Sequence, residues 1–288
     1  MSKIKVYLNG KIIPLNEAKI SVLDRGLFYG DGIFETLRTY NKKPFQLEEH
    51  IKRLLQTCKA FRLKCPMSAI QLKNSVLKTL AANNFKNAHI KIIVTRGEAS
   101  KSGLSTKNVA GRATIIILID ALKPLPKQVF IKGWKAIISS IMRPAVPSSQ
   151  FKTLNYINNV LAKHEAKKNG ADEAILLDKS GNIVEATSSN IFIVKHGELF
   201  TPPTDAPILL GLTRKTIMRI AKQSAFRVVE KIITPKELYT ADECFITSSG
   251  PGIIPITRVW NKKIGTGKCG LVTENLINLF DAETKKAS

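Results

Sequence analysis

Every apolar run in this sequence is short. The longest, Ile115 to Ile119, is broken by Asp120, well below the roughly 18 residues a membrane-spanning helix needs. Short β-branched runs bounded by turn residues read as strands. Lys5–Leu8 and Lys11–Ile13 flank Asn9-Gly10, a dipeptide that tolerates the positive φ angles of a tight hairpin turn. Ile90–Thr95, Ala113–Ile119, Val129–Ser139 and Phe245–Thr247 read as further strands. Two more hairpins are expected: Glu173–Leu177 with Ile183–Glu185 about Ser180-Gly181-Asn182, and Asn190–Val194 with Leu199–Thr201 about Lys195-His196-Gly197. Apolar residues at helical spacing mark Glu48–Leu63, Ala69–Leu80, Leu154–Asn169, Thr213–Ser224 and Val272–Phe280 as helices. Gly170 stops the third of these, because Asn and Gly suit the left-handed position past a helix end. The expected class is therefore mixed α/β, with antiparallel strands common.

Pro124 and Pro126 interrupt any regular element after Ile119. A chain of 288 residues suits two domains at roughly 100–200 residues each. The expected division is a small α/β domain over residues 1–121, a linker over 122–127 and a larger domain over 128–288.

Charge bears on the partner. There are 45 Lys and Arg against 22 Asp and Glu, a formal net charge of +23, which attracts nucleic acid, anionic lipid or small anionic ligands. The basic residues are scattered, with isolated pairs such as Lys42-Lys43 and Lys262-Lys263. A nucleic-acid footprint would cluster them on one face, so neither nucleic acid nor membrane is the expected partner. Cys58, Cys65, Cys244 and Cys269 form no Cys-x-x-Cys pair, and His50, His89, His164 and His196 fall at no ligand spacing. No metal site is expected. The start, Met1-Ser2-Lys3-Ile4-Lys5, lacks the apolar core of a signal peptide. A cytoplasmic protein with reduced thiols is the expectation.

Three glycine-containing stretches invite a ligand. Gly265-Thr266-Gly267-Lys268-Cys269-Gly270 matches Gly-x-Gly-x-x-Gly but lacks a surrounding βαβ unit, so it reads as a surface loop. Gly211-Leu212-Thr213-Arg214 places Thr213 as the cap of a helix whose N-terminus suits a phosphate; plain capping explains it equally well. Thr247 to Gly252 offers hydroxyls and backbone donors after a strand. Alone it is a turn.

Their order along the chain adds more. Asp24-Arg25-Gly26, Tyr29 through Arg38, His50 with Arg53, Lys152-Thr153-Leu154-Asn155-Tyr156, Val184 to Asn190, Gly211 to Arg214, and Ala241-Asp242-Glu243 ahead of Ser248-Ser249 closely resemble the class IV aminotransferases. These are pyridoxal 5'-phosphate enzymes of fold type IV. The resemblance runs from about Tyr7 to Val272. It implies a β-barrel-like second domain with helices around it, and a homodimer.

The resemblance also implies residue roles. Lys152 would be the Schiff-base lysine and proton shuttle. Glu185 would face the pyridine nitrogen, keeping it protonated so that the ring can accept electrons. Arg53, Leu212, Thr213 and Ser249 would hold the phosphate, and Tyr156 the phenolic oxygen of the cofactor. Tyr29, Phe34, Thr36, Lys91, Arg96, Lys101, Ser248 and Gly250 would border the substrate.

The subgroup is less legible. Phe34-Glu35-Thr36 departs from the Phe-Glu-Gly usual in branched-chain enzymes, and the segment after Thr95-Arg96-Gly97 lacks the Arg-x-His of D-amino-acid enzymes. The expected activity is transfer of an amino group between an amino acid or amine and a 2-oxo acid. Thr36, Lys91 and Lys101 also fit aminodeoxychorismate lyase, which releases pyruvate and 4-aminobenzoate. A non-catalytic anion or nucleic-acid binder is the remaining alternative.

Overall fold

The computed structural model describes residues 4–286; the first three residues of the start read above lie outside that range. Contacts divide the chain into two compact units. One comprises Met1–Lys123, Phe151–Asn155 and Thr284–Ser288, the other Pro124–Gln150 and Tyr156–Glu283. Neither is continuous in sequence. The segment that carries Lys152 counts with the first unit because its backbone hydrogen-bonds there, as described below.

The first unit contains β1 (Lys5–Leu8), β2 (Lys11–Pro14), α1 (Arg25–Tyr29), β3 (Gly32–Tyr40), β4 (Lys43–Pro44), α2 (Leu47–Ala60), α3 (Ala69–Asn83), β5 (Ala88–Thr95) and β6 (Ile115–Ala121). The strands form one antiparallel sheet in the order β2-β1-β6-β5-β3-β4. The opening hairpin turns as expected, with Asn9 and Gly10 at φ 47° and 100°. α2 and α3 pack against the sheet face that carries Leu37, Ile90, Ile92, Ile117 and Ile119. They contribute Ile51, Leu54, Leu72 and Val76 to that core. A capping box of Ser68 and Gln71 starts α3.

β3 carries no clean alternating signal, because its buried positions Ile33, Glu35, Leu37 and Thr39 include two polar residues. Asp24 explains the Asp-Arg-Gly motif. One of its oxygens accepts from the Gly26 N–H at 2.7 Å and the other from the hydroxyls of Thr95 and Thr114 at 2.8 and 2.7 Å. It thus caps α1 and ties it to the ends of β5 and β6.

The second unit begins with a departure from expectation. Residues 129–132 lie in a short helix, α4 (Lys127–Lys132), and the strand β7 covers only Trp134–Ile138. Gly133 separates them at φ +67°, a left-handed conformation that ends the helix. There follow α5 (Ile157–Lys168), β8 (Glu173–Leu177), β9 (Ile183–Ala186), β10 (Asn190–Lys195), β11 (Glu198–Thr201), α6 (Leu212–Gln223), β12 (Val228–Glu230), α7 (Pro235–Tyr239), β13 (Glu243–Ser248), β14 (Gly252–Val259), β15 (Lys262–Lys263) and α8 (Leu271–Lys286), of which the part up to Glu283 counts with this unit.

The strand order β10-β13-β14-β7-β8-β9 returns to β10 through the pair Asn190 and Glu185. Six strands therefore close on themselves, the barrel-like form expected, and closure removes open sheet edges. Ile175, Ile183, Ile191, Ile193, Ile246, Ile254 and Ile256 form part of its core. β14 escaped the sequence reading because Pro255 lies within it. The Gly-x-Gly-x-x-Gly stretch is irregular chain between β15 and α8. Among the described residues, no helix is long and apolar enough to cross a membrane and no cluster could hold a metal ion.

Candidate active site

In the first unit, Lys152 lies on an extended segment, not at a helix start: α5 begins only at Ile157. Thr153 bridges Ile33 antiparallel, the Phe34 N–H donates to the Lys152 carbonyl at 2.9 Å, and the Leu154 N–H donates to the Gly32 carbonyl at 3.0 Å. The segment thus adds itself to β3. Side chains alternate across such a pair, so Thr153 is buried on the side of Ile33 and Lys152 shares the side of Phe34. Lys152 Nζ stands 4.4 Å from the centroid of the Phe34 ring.

Lys91 Nζ is 5.6 Å from the same ring, and Lys91 is the direct cross-strand partner of Thr36. Ile93 lies opposite Phe34, and His89 opposite Arg38. Burial pushes the His89 ring below the usual histidine range, and the charges of Lys91, Arg38 and Lys152 add to that against the opposing Asp120. This sheet face therefore combines an apolar ring with several cations, which suits the carboxylate of a small acid.

The helix-covered side of β3 carries a different group. Glu35 accepts from Arg53 Nε at 2.6 Å and Nη2 at 2.8 Å, and its Oε2 lies 2.7 Å from His50 Nδ1. Burial alone would raise the Glu35 carboxyl, but hydrogen bonds from Arg53 and His50 and their charges outweigh it and hold the group at about 2. His50 is pushed down by its own burial, with Glu35 opposing. Arg53, expected at the phosphate, is thus fixed by a buried carboxylate on two of its nitrogens.

Tyr29, Arg96 and Lys101 belong to a third neighbourhood. Asp31 accepts from Arg25 and Arg96, both at 2.8 Å, and Arg96 also donates to the carbonyls of Arg62 and Phe61 just past α2. Arg25 donates to the carbonyls of Gly103 and Leu104, and the Tyr29 hydroxyl accepts from the Gly103 N–H at 3.0 Å. These residues hold the loop that carries Lys101, which is exposed.

In the second unit, Glu185 on β9 is buried, pairs with Arg143 Nε at 3.0 Å and accepts from the Leu209 N–H at 3.0 Å. Arg143 also donates to the carbonyls of Ser149 and Pro207. The turn after Glu185 is pinned by buried Glu173, which accepts from the Thr187 hydroxyl at 2.5 Å, while Asn159 donates to the Thr187 carbonyl at 2.7 Å. Tyr156 is half-buried at the N-terminal boundary of α5.

The cap of α6 is Gly211, not Thr213, and it makes no side-chain cap hydrogen bond. Asn190 explains the glycine: its amide donates to the Leu209 carbonyl at 2.8 Å, and its Oδ1 would collide with any Cβ at position 211. Thr213 is buried in the first turn, and Ser248, Ser249 and Gly250 are half-buried at the end of β13. Thr247 is buried with a hydroxyl that has no hydrogen-bond partner among the described residues.

Taken unit by unit, these groups have the chemistry that pyridoxal 5'-phosphate calls for. The chain offers a primary amine at Lys152, a buried carboxylate at Glu185, and an N-terminal helix turn without a side-chain cap beside hydroxyls for a phosphate. The sequence reading missed Arg143, Asn190 and Thr247 in these surroundings. Nothing local marks Arg143, whereas Asn190 and Gly211 both lay within quoted motifs without their contact being legible.

The family model described as amino-transferase class IV matches residues 32–259. A putative branched-chain-amino-acid aminotransferase of Methanocaldococcus jannaschii is 41% identical over 285 residues, covering 98% of this chain and 97% of that protein. The branched-chain-amino-acid aminotransferase of Escherichia coli (strain K12) is 32% identical over 295 residues, covering 97% and 94% respectively. Among solved structures, the T.th. branched-chain amino acid aminotransferase with pyridoxamine 5'-phosphate superposes with a TM-score of 0.92 at 31% identity, over 99% of this chain and 95% of that one.

Proposed function

Because the chain belongs to the class IV aminotransferases, we propose that it moves the amino group of a branched-chain aliphatic amino acid to a 2-oxo acid, with Lys152 as its catalytic amine. It is a transaminase that uses pyridoxal 5'-phosphate. The relatives and the structure reported above are aminotransferases, so the lyase and non-catalytic alternatives are set aside.

Bound pyridoxal phosphate supplies an electron sink for the charge released when a substrate Cα loses its proton. Lys152 would take that proton and return it at C4′, and the same amine would serve the second half-reaction in the opposite direction. Glu185 holds a proton on the ring nitrogen, and the Arg143 guanidinium and Leu209 N–H aim its carboxylate. Arg53, Leu212, Thr213 and Ser249 would hold the phosphate, and Tyr156 would donate to the phenolic oxygen. Phe34, Thr36 and Lys91, which share one face of the first unit's sheet, receive the substrate.

One observation carries this reading: Lys152 lies over Phe34 on a sheet face that pairs apolar Phe34 and Ile93 beside basic Lys91. An aliphatic side chain and a carboxylate both find partners there. Initial rates on a donor panel test the substrate class. Leucine, isoleucine and valine with a 2-oxo acid should exceed D-amino acids and (R)-amines; the reverse order would reject the branched-chain assignment.

A homodimer is part of the proposal. Val22 and Leu104 are 72% and 78% exposed in the first unit, and Ile157 is 65% exposed beside Val160 and Leu161 in the second. Apolar surface of this kind is covered in obligate assemblies. Sedimentation should give twice the chain mass, and a monomer at micromolar concentration would contradict it. The free thiols of all four cysteines suit a reducing cytoplasm.

A further inference from the structure

We propose that Thr247 is a further cofactor-binding residue, its hydroxyl donating to the phosphate held at the start of α6. The inference rests on the assignment of the α6 N-terminus and Ser249 to that phosphate.

The first observation is the hydroxyl itself. Thr247 is 2% exposed, and its Oγ1 has no hydrogen-bond partner among the described residues. A buried hydroxyl left unpaired is costly, so natural proteins rarely keep one without a use. Other buried threonines of the same unit are satisfied: Thr201 donates to the Ile191 carbonyl, Thr216 to the Leu212 carbonyl and Thr257 to the Lys132 carbonyl. Valine would fill the Thr247 position with the same shape and no unpaired group. The oxygen is therefore what needs explaining.

The second observation is where that oxygen lies. Along β13, Cys244 and Ile246 belong to the barrel core, so alternation turns Phe245 and Thr247 to the other face. The Phe245 ring stacks on Phe192 of β10 with centroids 5.0 Å apart, which marks that face. Directly opposite Thr247 on β10 is Asn190, and paired residues of antiparallel strands project to the same side.

Asn190 reaches from there to the helix. Its amide donates to the Leu209 carbonyl at 2.8 Å, and its Oδ1 abuts Gly211, the cap of α6. That cap has no side chain to accept from the N–H groups of the first turn. An unpaired donor and an uncapped helix start are thus linked by one side chain, and Ser249 follows two residues after Thr247. A phosphate dianion carries enough acceptor lone pairs for all of them, and hydrogen bonds to an ionised acceptor are the stronger kind.

The test compares Thr247→Val and Thr247→Ser with the wild-type chain. Each protein is stripped of cofactor and titrated with pyridoxal 5'-phosphate and, separately, with pyridoxal, which lacks the phosphate. The dissociation constant for pyridoxal 5'-phosphate should rise about tenfold in Thr247→Val, equivalent to ~1.4 kcal/mol, and stay within about twofold in Thr247→Ser. Pyridoxal affinity should be unchanged in both. The cofactor-free Thr247→Val protein should melt at a higher temperature than wild type, because it no longer buries an unpaired hydroxyl. Equal cofactor affinity of Thr247→Val and wild type, or an equal loss for pyridoxal, would overturn the proposal. Should Thr247→Val fail to fold, a loss of affinity in Thr247→Cys, which keeps the volume but donates weakly, would support it and an unchanged affinity would overturn it. A wild-type chain that binds no pyridoxal 5'-phosphate would reject the underlying assignment instead.

Discussion

Lys152 and Phe34 are joined twice. The Phe34 N–H donates to the Lys152 carbonyl at 2.9 Å, and the Lys152 ammonium stands 4.4 Å from the Phe34 ring. The backbone bond fixes where the lysine emerges from the sheet, and the ring restricts where its amine points. A flexible side chain thereby gains the preorganisation that the proton transfer proposed for it requires.

Glu185→Gln should leave cofactor binding within a few fold while lowering the single-turnover rate of Cα deprotonation by about a hundredfold. Stopped-flow absorbance with a deuterated donor isolates that step. An undiminished rate would show that Glu185 does not serve the ring nitrogen.

Arg143→Met should destabilise the protein by ~3 kcal/mol, because it leaves the Glu185 carboxylate buried without the guanidinium at 3.0 Å. The double variant Arg143→Met with Glu185→Gln should be less destabilised than Arg143→Met alone. Equal thermal midpoints for the two would mean that the pair is not coupled.

The first unit should lose stability on the acid side. Glu35 has a folded pKa of about 2 against an ordinary value of 4.5, so its stabilisation is complete above the ordinary value and disappears as pH falls towards 2. That difference corresponds to on the order of 3 kcal/mol. His50 acts in the same direction: its pKa is depressed by burial, so the unfolded chain takes up its proton first as pH drops below 6.5. Urea melts at several pH values should show a shallower acid decline in Glu35→Gln. An unaltered slope would contradict the role given to this carboxylate.

Cys65 should be the first thiol to alkylate. A hydrogen bond from Cys58 lowers its pKa against the burial that opposes it. Burial pushes Cys269 to about 11 and raises Cys244 as well, and the Cys65 hydrogen bond with burial raises Cys58. Limited iodoacetamide at neutral pH, followed by peptide mapping, should label Cys65 ahead of the others, and Cys58→Ala should slow it. Preferential labelling of Cys269 would reject this ranking.

Much of the fold was legible because its strands and helices are local patterns. The hairpin at Asn9-Gly10 and the stop at Gly170 each follow from one or two residues. β3 and β14 were not legible, because Glu35 and Thr39 occupy buried positions of one and Pro255 interrupts the other. The ends of the candidate site were read through ordered motifs, yet their supports were not. Arg143 meets Glu185 across 42 residues of sequence, and Thr247 meets Asn190 only through strand register. Neither pairing has a local signature. The extended geometry at Lys152 was missed for the same reason, since it depends on the bridge from Thr153 to Ile33 of β3, far away in the chain.

Borohydride reduction of the holoenzyme, followed by peptide mapping, tests the assignment on which the rest depends. The cofactor should be fixed to the peptide containing Lys152 and to no other, and Lys152→Ala should yield no labelled peptide. Label on a different lysine of the wild-type chain would contradict the account.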